Sequence, residues 1–566
     1  MKQSTWLSTS LLTLVAIASA WGEPAERLIF SDAGVTMVEG DPRSAQPLAI
    51  AIADGRIAWM GAHKAGQERI NPNTEVWQLG KQAVLPGFID AHGHIVFSSL
   101  AGTLANVASP PVGPAEDIAG MQAALRDYIQ RREIAPGDWV IGMGYDDSLL
   151  AERRHPTRDD LDAVTTDHPL FLLHVSGHLM AANSRALARA GINSETPDPP
   201  GGIVRRVDGE PNGVLEETAM TPLRRFMAAP NTNPLGALED ALAAYAKNGI
   251  TTVQDGATDP AGVALLRQAA DAGVLTLDVT AFPIGMVDPA IVVEQHEFAG
   301  YSNRLKFGGI KLFLDGSPQG KTAYMTKPYR KPPHGQDKAY RGYPTIPEAQ
   351  ANALFAAYLD AEVPILAHAN GDAAADMLIH AVAEAKPDHD HRTVMIHAQT
   401  VREDQLTQMK NLGIVPSFFA AHSFYWGDWH RDSVFGVERA ARISPTASTV
   451  ARGMPFTIHN DAPVVPPDML RLLWATTNRR TRSDALLGGE QRISTYDAIK
   501  AATVYAAYQN FEEASKGTIE VGKQADLVVL SADPLGVPPA DLMSLEIRAT
   551  LSRGGVVFRD AALAVE

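Results

Sequence analysis

Two histidines one residue apart close the apolar run Val84-Leu85-Pro86-Gly87-Phe88-Ile89-Asp90-Ala91-His92-Gly93-His94. In a strand, side chains two apart point the same way, so the imidazoles of His92 and His94 face one point in space. Gly93 between them carries no side chain to obstruct an approaching ion or ligand. Two imidazoles on one side of a strand end can supply half of a divalent-metal site; they can equally be polar punctuation where a strand meets a loop. The chain contains no cysteine, so any metal must be held by histidine and carboxylate, and disulfides and thiol nucleophiles are excluded.

The elements that would position such a site recur along the chain. Apolar stretches follow at Gly249–Asp255, Leu275–Phe282, Ile310–Gly316, Val363–His368, Val394–His397, Ile414–Phe419 and Pro455–Asp461. Ala- and Leu-rich helical stretches such as Pro347–Leu359 and Ala373–Ala385 alternate with them. Counting the first, eight strand–helix units predict an α/β fold, a (β/α)8 TIM-like barrel, whose chemistry sits at the C-terminal strand ends. His92, His94, Lys311, His368, His397 and Asp461 fall on or close to those ends, a coincidence more telling than any one of them.

At 566 residues the chain is too long for one core. Short strand-like runs at Leu28–Phe30, Leu48–Ile52 and Arg56–Met60 find a counterpart at Gly517–Leu530 and Val556–Phe558. Both ends therefore predict one small β-sandwich from residues 27–85 and 513–566, around a barrel over 86–512. Residues 100–234 are too many for a βα loop and predict an inserted subdomain after strand 1, covering the barrel mouth. A net charge of −16 with no basic run argues against nucleic acid. Lys2, the apolar Leu11–Ile17 and the small Ala18-Ser19-Ala20 read as a bacterial export signal over residues 1–20. That predicts a periplasmic or secreted protein beginning near Trp21, with no stable membrane insertion after cleavage.

These stretches, with Gly137–Asp146, Ser176-Gly177-His178 with Asn183-Ser184, Lys311–Ser317, His368–Asp372, Asn460–Pro463 and Gly517–Leu530, make the chain resemble the metal-dependent amidohydrolase superfamily. Within it the resemblance is to the amidohydrolase-3, YtcJ-like group that includes N-substituted formamide deformylases, and it covers nearly the whole mature chain. It implies that His92, His94 and Asp461 hold one metal and that His368 and His397 hold a second. It implies a carboxylated Lys311 bridging the two, since an ammonium cannot ligate a cation; the alternative is a lysine paired with a nearby carboxylate. Asn460 stands where many relatives carry Ser, with Asp461 intact. The resemblance implies one or two divalent ions, zinc first, lowering the pKa of water from about 16 towards 7. Asp461 would accept the water's proton and return it to the leaving nitrogen.

His178 is a candidate contact to the substrate carbonyl, or else a structural histidine. His422, among Phe418, Phe419, Phe424, Tyr425, Trp426 and Trp429, is a candidate lining of an aromatic pocket, or core. The Gly316–Tyr324 run predicts a mobile lid. Arg479 and Arg480 either bind a substrate carboxylate or sit on a solvated helix, and His459 stays unassigned. The favoured activity is hydrolysis of a linear amide C–N bond, an N-acyl or N-formyl amine or an amino-acid conjugate. Cyclic-amide opening or deamination on the same scaffold, and a non-catalytic periplasmic binding protein, are the alternatives. The expected partner is a small-molecule amide, with a homo-oligomer left open.

Overall fold

The computed structural model describes residues 25–39, 44–227, 233–298, 300–333 and 335–563. The expected export signal lies outside them. Among the described residues no helix is long and apolar enough to cross a membrane.

All eight expected parallel strands are present, in two hydrogen-bonded arcs. The first arc runs Phe88–Ile89, Ile250–Thr258, Asp278–Pro283 and Leu305–Phe307, and the second runs Ile310–Phe313, Ile365–Ala369, Val394–His397, Val415–Phe418 and Thr457–Ile458. Strands such as Val394–His397 are buried along their whole length, because helices cover one side and the interior fills the other. Each fully buried branched side chain there contributes roughly 1.5–3 kcal/mol. The fourth strand starts earlier than its apolar run and breaks at Gly308–Gly309. A Cβ on Gly309 would lie 2.1 Å from the Pro364 carbonyl oxygen, so only glycine allows the neighbouring strand this close.

Lys311 pairs with Ile284 across the two arcs, and at the opposite seam Asp461 N donates to the His92 carbonyl at 3.0 Å and His94 N to that of Ala462 at 2.8 Å. The first and last strand ends are thus tied where both deliver site residues. Helices Glu348–Asp360 and Asp372–Ala385 flank the fifth strand, near the predicted ranges.

The two chain ends build one sheet, ordered Gly555–Arg559, Ile547–Ser552, Leu527–Leu530, Glu75–Pro86, Arg27–Gly34, Gln46–Ala53 and Arg56–Gly61. Leu527–Leu530 pairs directly with Ala83–Pro86, so N- and C-terminal strands share one hydrogen-bond ladder, and Ile29, Ile50 and Ile57 share a core with Leu527, Val529 and Leu551. Between the first two parallel strands, Ala105–Asn106, Val140–Tyr145, Leu170–His174, Leu179–Ala182, Gly202–Val207 and Glu210–Glu217 form a separate six-stranded sheet.

Candidate metal centre

Asp461 sits in the middle of the cluster. Its Oδ1 lies 3.1 Å from His94 Nε2 and 3.6 Å from His92 Nε2, and its Oδ2 lies 3.9 Å from His397 Nε2. Lys311 Nζ reaches His92 Nε2 at 3.1 Å. The His368 and His397 rings are 4.6 Å apart, centroid to centroid. Six residues from five separate strand ends therefore converge. His397 and Asp461 take left-handed backbone at φ 71° and 57°, unusual for side-chain-bearing residues and typical of sites where the surroundings over-determine the chain.

Three of the imidazoles are held from behind. His92 Nδ1 donates to Gln254 Oε1 at 2.8 Å, which leaves the Nε2 lone pair facing Asp461 and Lys311. His368 Nδ1 donates to Asp315 Oδ1 at 3.1 Å, which leaves the lone pair on Nε2, where it accepts from Asn370 Nδ2 at 3.3 Å. His397 Nδ1 meets His459 Nε2 at 3.2 Å, and His459 Nδ1 meets Ser417 Oγ at 2.8 Å. With His459 Nδ1–H donating to the serine, His397 Nδ1–H donates to His459, and His397 Nε2 carries its lone pair inward. His459, unassigned from sequence, is thus the support of His397.

Burial, reinforced by the neighbouring Lys311 and imidazoles, pushes His92 and His397 well below 6.5; burial and the neighbouring His178 do the same to His368. Burial opposes ionisation of Asp461, but its hydrogen bond to His94 and the charges around it outweigh that and hold the carboxyl low. Burial brings Lys311 down to about 7. The neutral imidazoles of His92, His368 and His397, one ionised carboxylate and an amine that is uncharged in part at neutral pH form a set of lone pairs short of positive charge. That donor set fits a borderline divalent ion such as zinc.

The tightest grouping of candidate ligand atoms here is His92, His94 and Asp461. A second, Asp146, Asp147 and His174, lies in the insert. There the Ser176 amide donates to His174 Nδ1, so His174 Nε2–H donates to Asp147 Oδ1 at 3.1 Å. That pair is satisfied internally.

The remaining candidates fall at different depths. His178 stands 5.4 Å from the His368 ring with Nδ1 bonded to Glu217 Oε2 at 2.8 Å; burial would lower its pKa, but Glu217 raises it overall. His422 lies one layer out, its Nδ1 bonded to His430 at 2.9 Å and its ring against Phe419 and Trp426. Arg479 is neither on a solvated face nor open to a carboxylate. It is buried, and its guanidinium donates to the carbonyls of Leu487, Ser444, Ala441 and Ile443. Arg480 is exposed and pairs with Asp484 at 3.1 Å. The Gly316–Tyr324 run is mostly buried and stitched down, not a free lid, with Asp315 accepting from the amides of Tyr324, Asn370 and Gly371.

Asp315, Gln254 and Glu217 went unnoticed in the sequence. Asp315 ends the run Ile310–Leu314 just before a glycine, the same signal that marks His92. Gln254 is a polar residue in the middle of a buried strand. Glu217 carries no sequence signal.

The sequence matches the amidohydrolase family over residues 75–558. It is 26% identical over 538 residues to the N-substituted formamide deformylase of Arthrobacter pascens, covering 91% of this chain and 95% of that protein. It is also 26% identical over 542 residues to a putative amidohydrolase, YtcJ, of Bacillus subtilis, covering 92% and 97%. Its fold matches an uncharacterized metal-dependent hydrolase of Pyrococcus horikoshii with a TM-score of 0.70 at 20% identity, over 90% of this chain and 99% of that one. An adenosine deaminase of Xanthomonas campestris matches at TM-score 0.53 and 14% identity, over 96% and 95%. The parallel strands are thus those of a TIM-like barrel. The chain belongs to the amidohydrolase family, and is a metal-dependent hydrolase of C–N bonds.

Proposed function

We propose that this enzyme hydrolyses a linear amide, an N-acyl or N-formyl amine or amino-acid conjugate, with two zinc ions and a carboxylated Lys311. The observation that carries the reading is the Asp461 carboxylate among the imidazoles of His92, His94 and His397, with His92 and His397 bonded through Nδ1 from behind so that their Nε2 lone pairs turn inward. The deformylase relative, similar along nearly its whole length, supports a linear rather than cyclic substrate. His92, His94 and Asp461 would hold one ion, and His368 and His397 the other. Bound metal supplies Lewis acidity: it polarises the amide carbonyl and lowers the pKa of water.

The chain's own groups do the rest. Asp461 takes the proton of the attacking water on a carboxylate oxygen and passes it to the leaving nitrogen. His178, whose protonated form Glu217 favours, donates Nδ1–H to Glu217 and presents Nε2–H to the substrate's carbonyl oxygen. Lys311, held partly neutral by burial, has the lone pair needed to take up carbon dioxide. Elemental mass spectrometry on the wild type beside Lys311→Ala tests this: about two metals per chain should fall to one or fewer. One metal in both would remove Lys311 from the ligand set. No metal in folded, never-chelated protein would end the reading.

A further inference from the structure

A cavity of about 320 Å3 opens between the inserted sheet and the barrel loops, against the segment that follows Asp461. Its walls include Met143 and Val175 from the insert, Tyr425 and Trp426 from the loop after the seventh strand, and Val464 and Val465. Those two valines follow Asp461 almost at once. Val464 N donates to the Asp461 carbonyl at 2.9 Å, so this wall hangs directly on the residue that handles the proton. Val175 likewise leads into the Ser176-Gly177-His178 turn. A group attached to an amide held over Asp461 has this slot as its neighbour.

The slot is mainly apolar, with one cation, Arg482, and one carboxylate, Asp146, in its lining. Arg482 is half-buried and donates to the Pro110 carbonyl. The acids whose charge reaches it, Asp146 in the same lining and Asp428, are each held by other donors. Asp146 accepts from Trp426 Nε1 at 2.6 Å and from Ser148, and Asp428 pairs with Arg431 at 3.1 Å and accepts from Thr481 and Ser483. A guanidinium has five N–H donors in a fork that matches a carboxylate, and a partly desolvated one without an anion is costly to leave so. The two arginines just before it are already committed, Arg479 to backbone carbonyls and Arg480 to Asp484.

We infer that the substrate is an amide bearing an apolar side chain and a carboxylate, in the manner of an N-acylated apolar amino acid, with the side chain in this slot and the carboxylate on Arg482. This rests on the linear-amide reading above and narrows it. A charge-assisted bidentate pair contributes about 1.5–3 kcal/mol, roughly 10- to 100-fold in affinity.

The test uses N-acetyl-L-leucine and N-isopentylacetamide, the same skeleton without the carboxylate, and also 4-methylpentanoate as a binding probe read by calorimetry. The metal-loaded wild type, Arg482→Gln and Arg482→Lys are compared. In Arg482→Gln the ratio of kcat/KM for the acid amide over the neutral amide should fall roughly 10- to 100-fold, with partial recovery in Arg482→Lys, and 4-methylpentanoate should bind the wild type more tightly by a similar factor. Equal losses on both amides, or binding of the probe indifferent to Arg482, would overturn the inference. If neither amide is hydrolysed while the probe still binds through Arg482, the carboxylate slot stands and the linear-amide reading fails. If the probe does not bind the wild type at all, the slot itself is refuted.

Discussion

Where the parallel strands begin, Lys516 Nζ lies 2.9 Å from Asp278 Oδ2 and 2.8 Å from Glu512 Oε2, all three buried. Arg553 and Arg304 add bonds to Asp278 at 3.0 and 3.2 Å, Lys306 reaches Glu512 at 2.9 Å, and Lys516 also donates to Tyr301 Oη at 3.1 Å. Where the strands end, four histidines and Asp461 face one another with a lysine whose charge burial suppresses. Both regions bury ionisable groups at similar depth, so burial does not distinguish a site from a strut. Charge balance does. The first region matches each acid with a cation of the chain and joins the barrel to the terminal sheet through Arg553. The second gathers lone pairs and leaves the positive charge to be supplied from outside.

The sharpest way to break this contrast is Asp461→Asn, which keeps the shape but removes the proton acceptor and one ligand charge. Turnover should fall by at least the roughly 10²–10⁴-fold that positioned proton transfer is worth, with the melting temperature of the metal-free protein little changed. A comparable loss of folding would show that Asp461 is structural like Asp278.

Lys516→Met is the converse. It leaves two buried carboxylates short of a cation, which costs about 3–5 kcal/mol when no other partner remains. Arg553, Arg304 and Lys306 stay in place, so the lower end of that range is expected in urea unfolding, with kcat on any amide substrate retained. Lost turnover at unchanged stability would reverse the two assignments.

Acid should separate the two ends along the pH axis. Burial depresses the folded values of His92, His368 and His397 below 6.5, and brings His459 to about 3. Below 6.5 the unfolded chain takes up protons that the folded chain refuses, so this contribution is present above 6.5 and is lost as pH falls, at up to about 1.4 kcal/mol per pH unit for each histidine. Asp278 behaves differently. Burial would raise its pKa, but Lys516 and Arg553 outweigh that and hold it below 3.8, so its contribution persists until the pH passes beneath that value. Melting curves of metal-free protein should therefore begin to fall near pH 6.5. A flat profile down to pH 4 would mean that the histidines are solvated.

Much of the site was legible because its residues interrupt a pattern. A polar side chain closing a buried apolar run is conspicuous, and His92, His368, His397 and Asp461 all do so. His459 was visible too, but one residue type serves as ligand, support or proton carrier, and only its bonds to His397 and Ser417 assign it. Arg479 was misread, and Arg482 passed over, for a related reason. Arg479, Arg480 and Arg482 look equivalent on paper, and their fates depend on which backbone carbonyls and which cavity the turn after Asn478 happens to meet.

By itself the sequence determined the parallel strands, the helices between them and the metal-binding character of the strand ends, since periodicity, burial and residue chemistry are local properties. It also determined that no thiol takes part. The tertiary structure alone decided that the two chain ends zip into one sheet, that Gln254, Asp315 and Glu217 orient histidines far away in the chain, and that an apolar slot lined by Arg482 opens against the segment after Asp461. These depend on contacts between residues tens to hundreds of positions apart, and no local pattern encodes such distances.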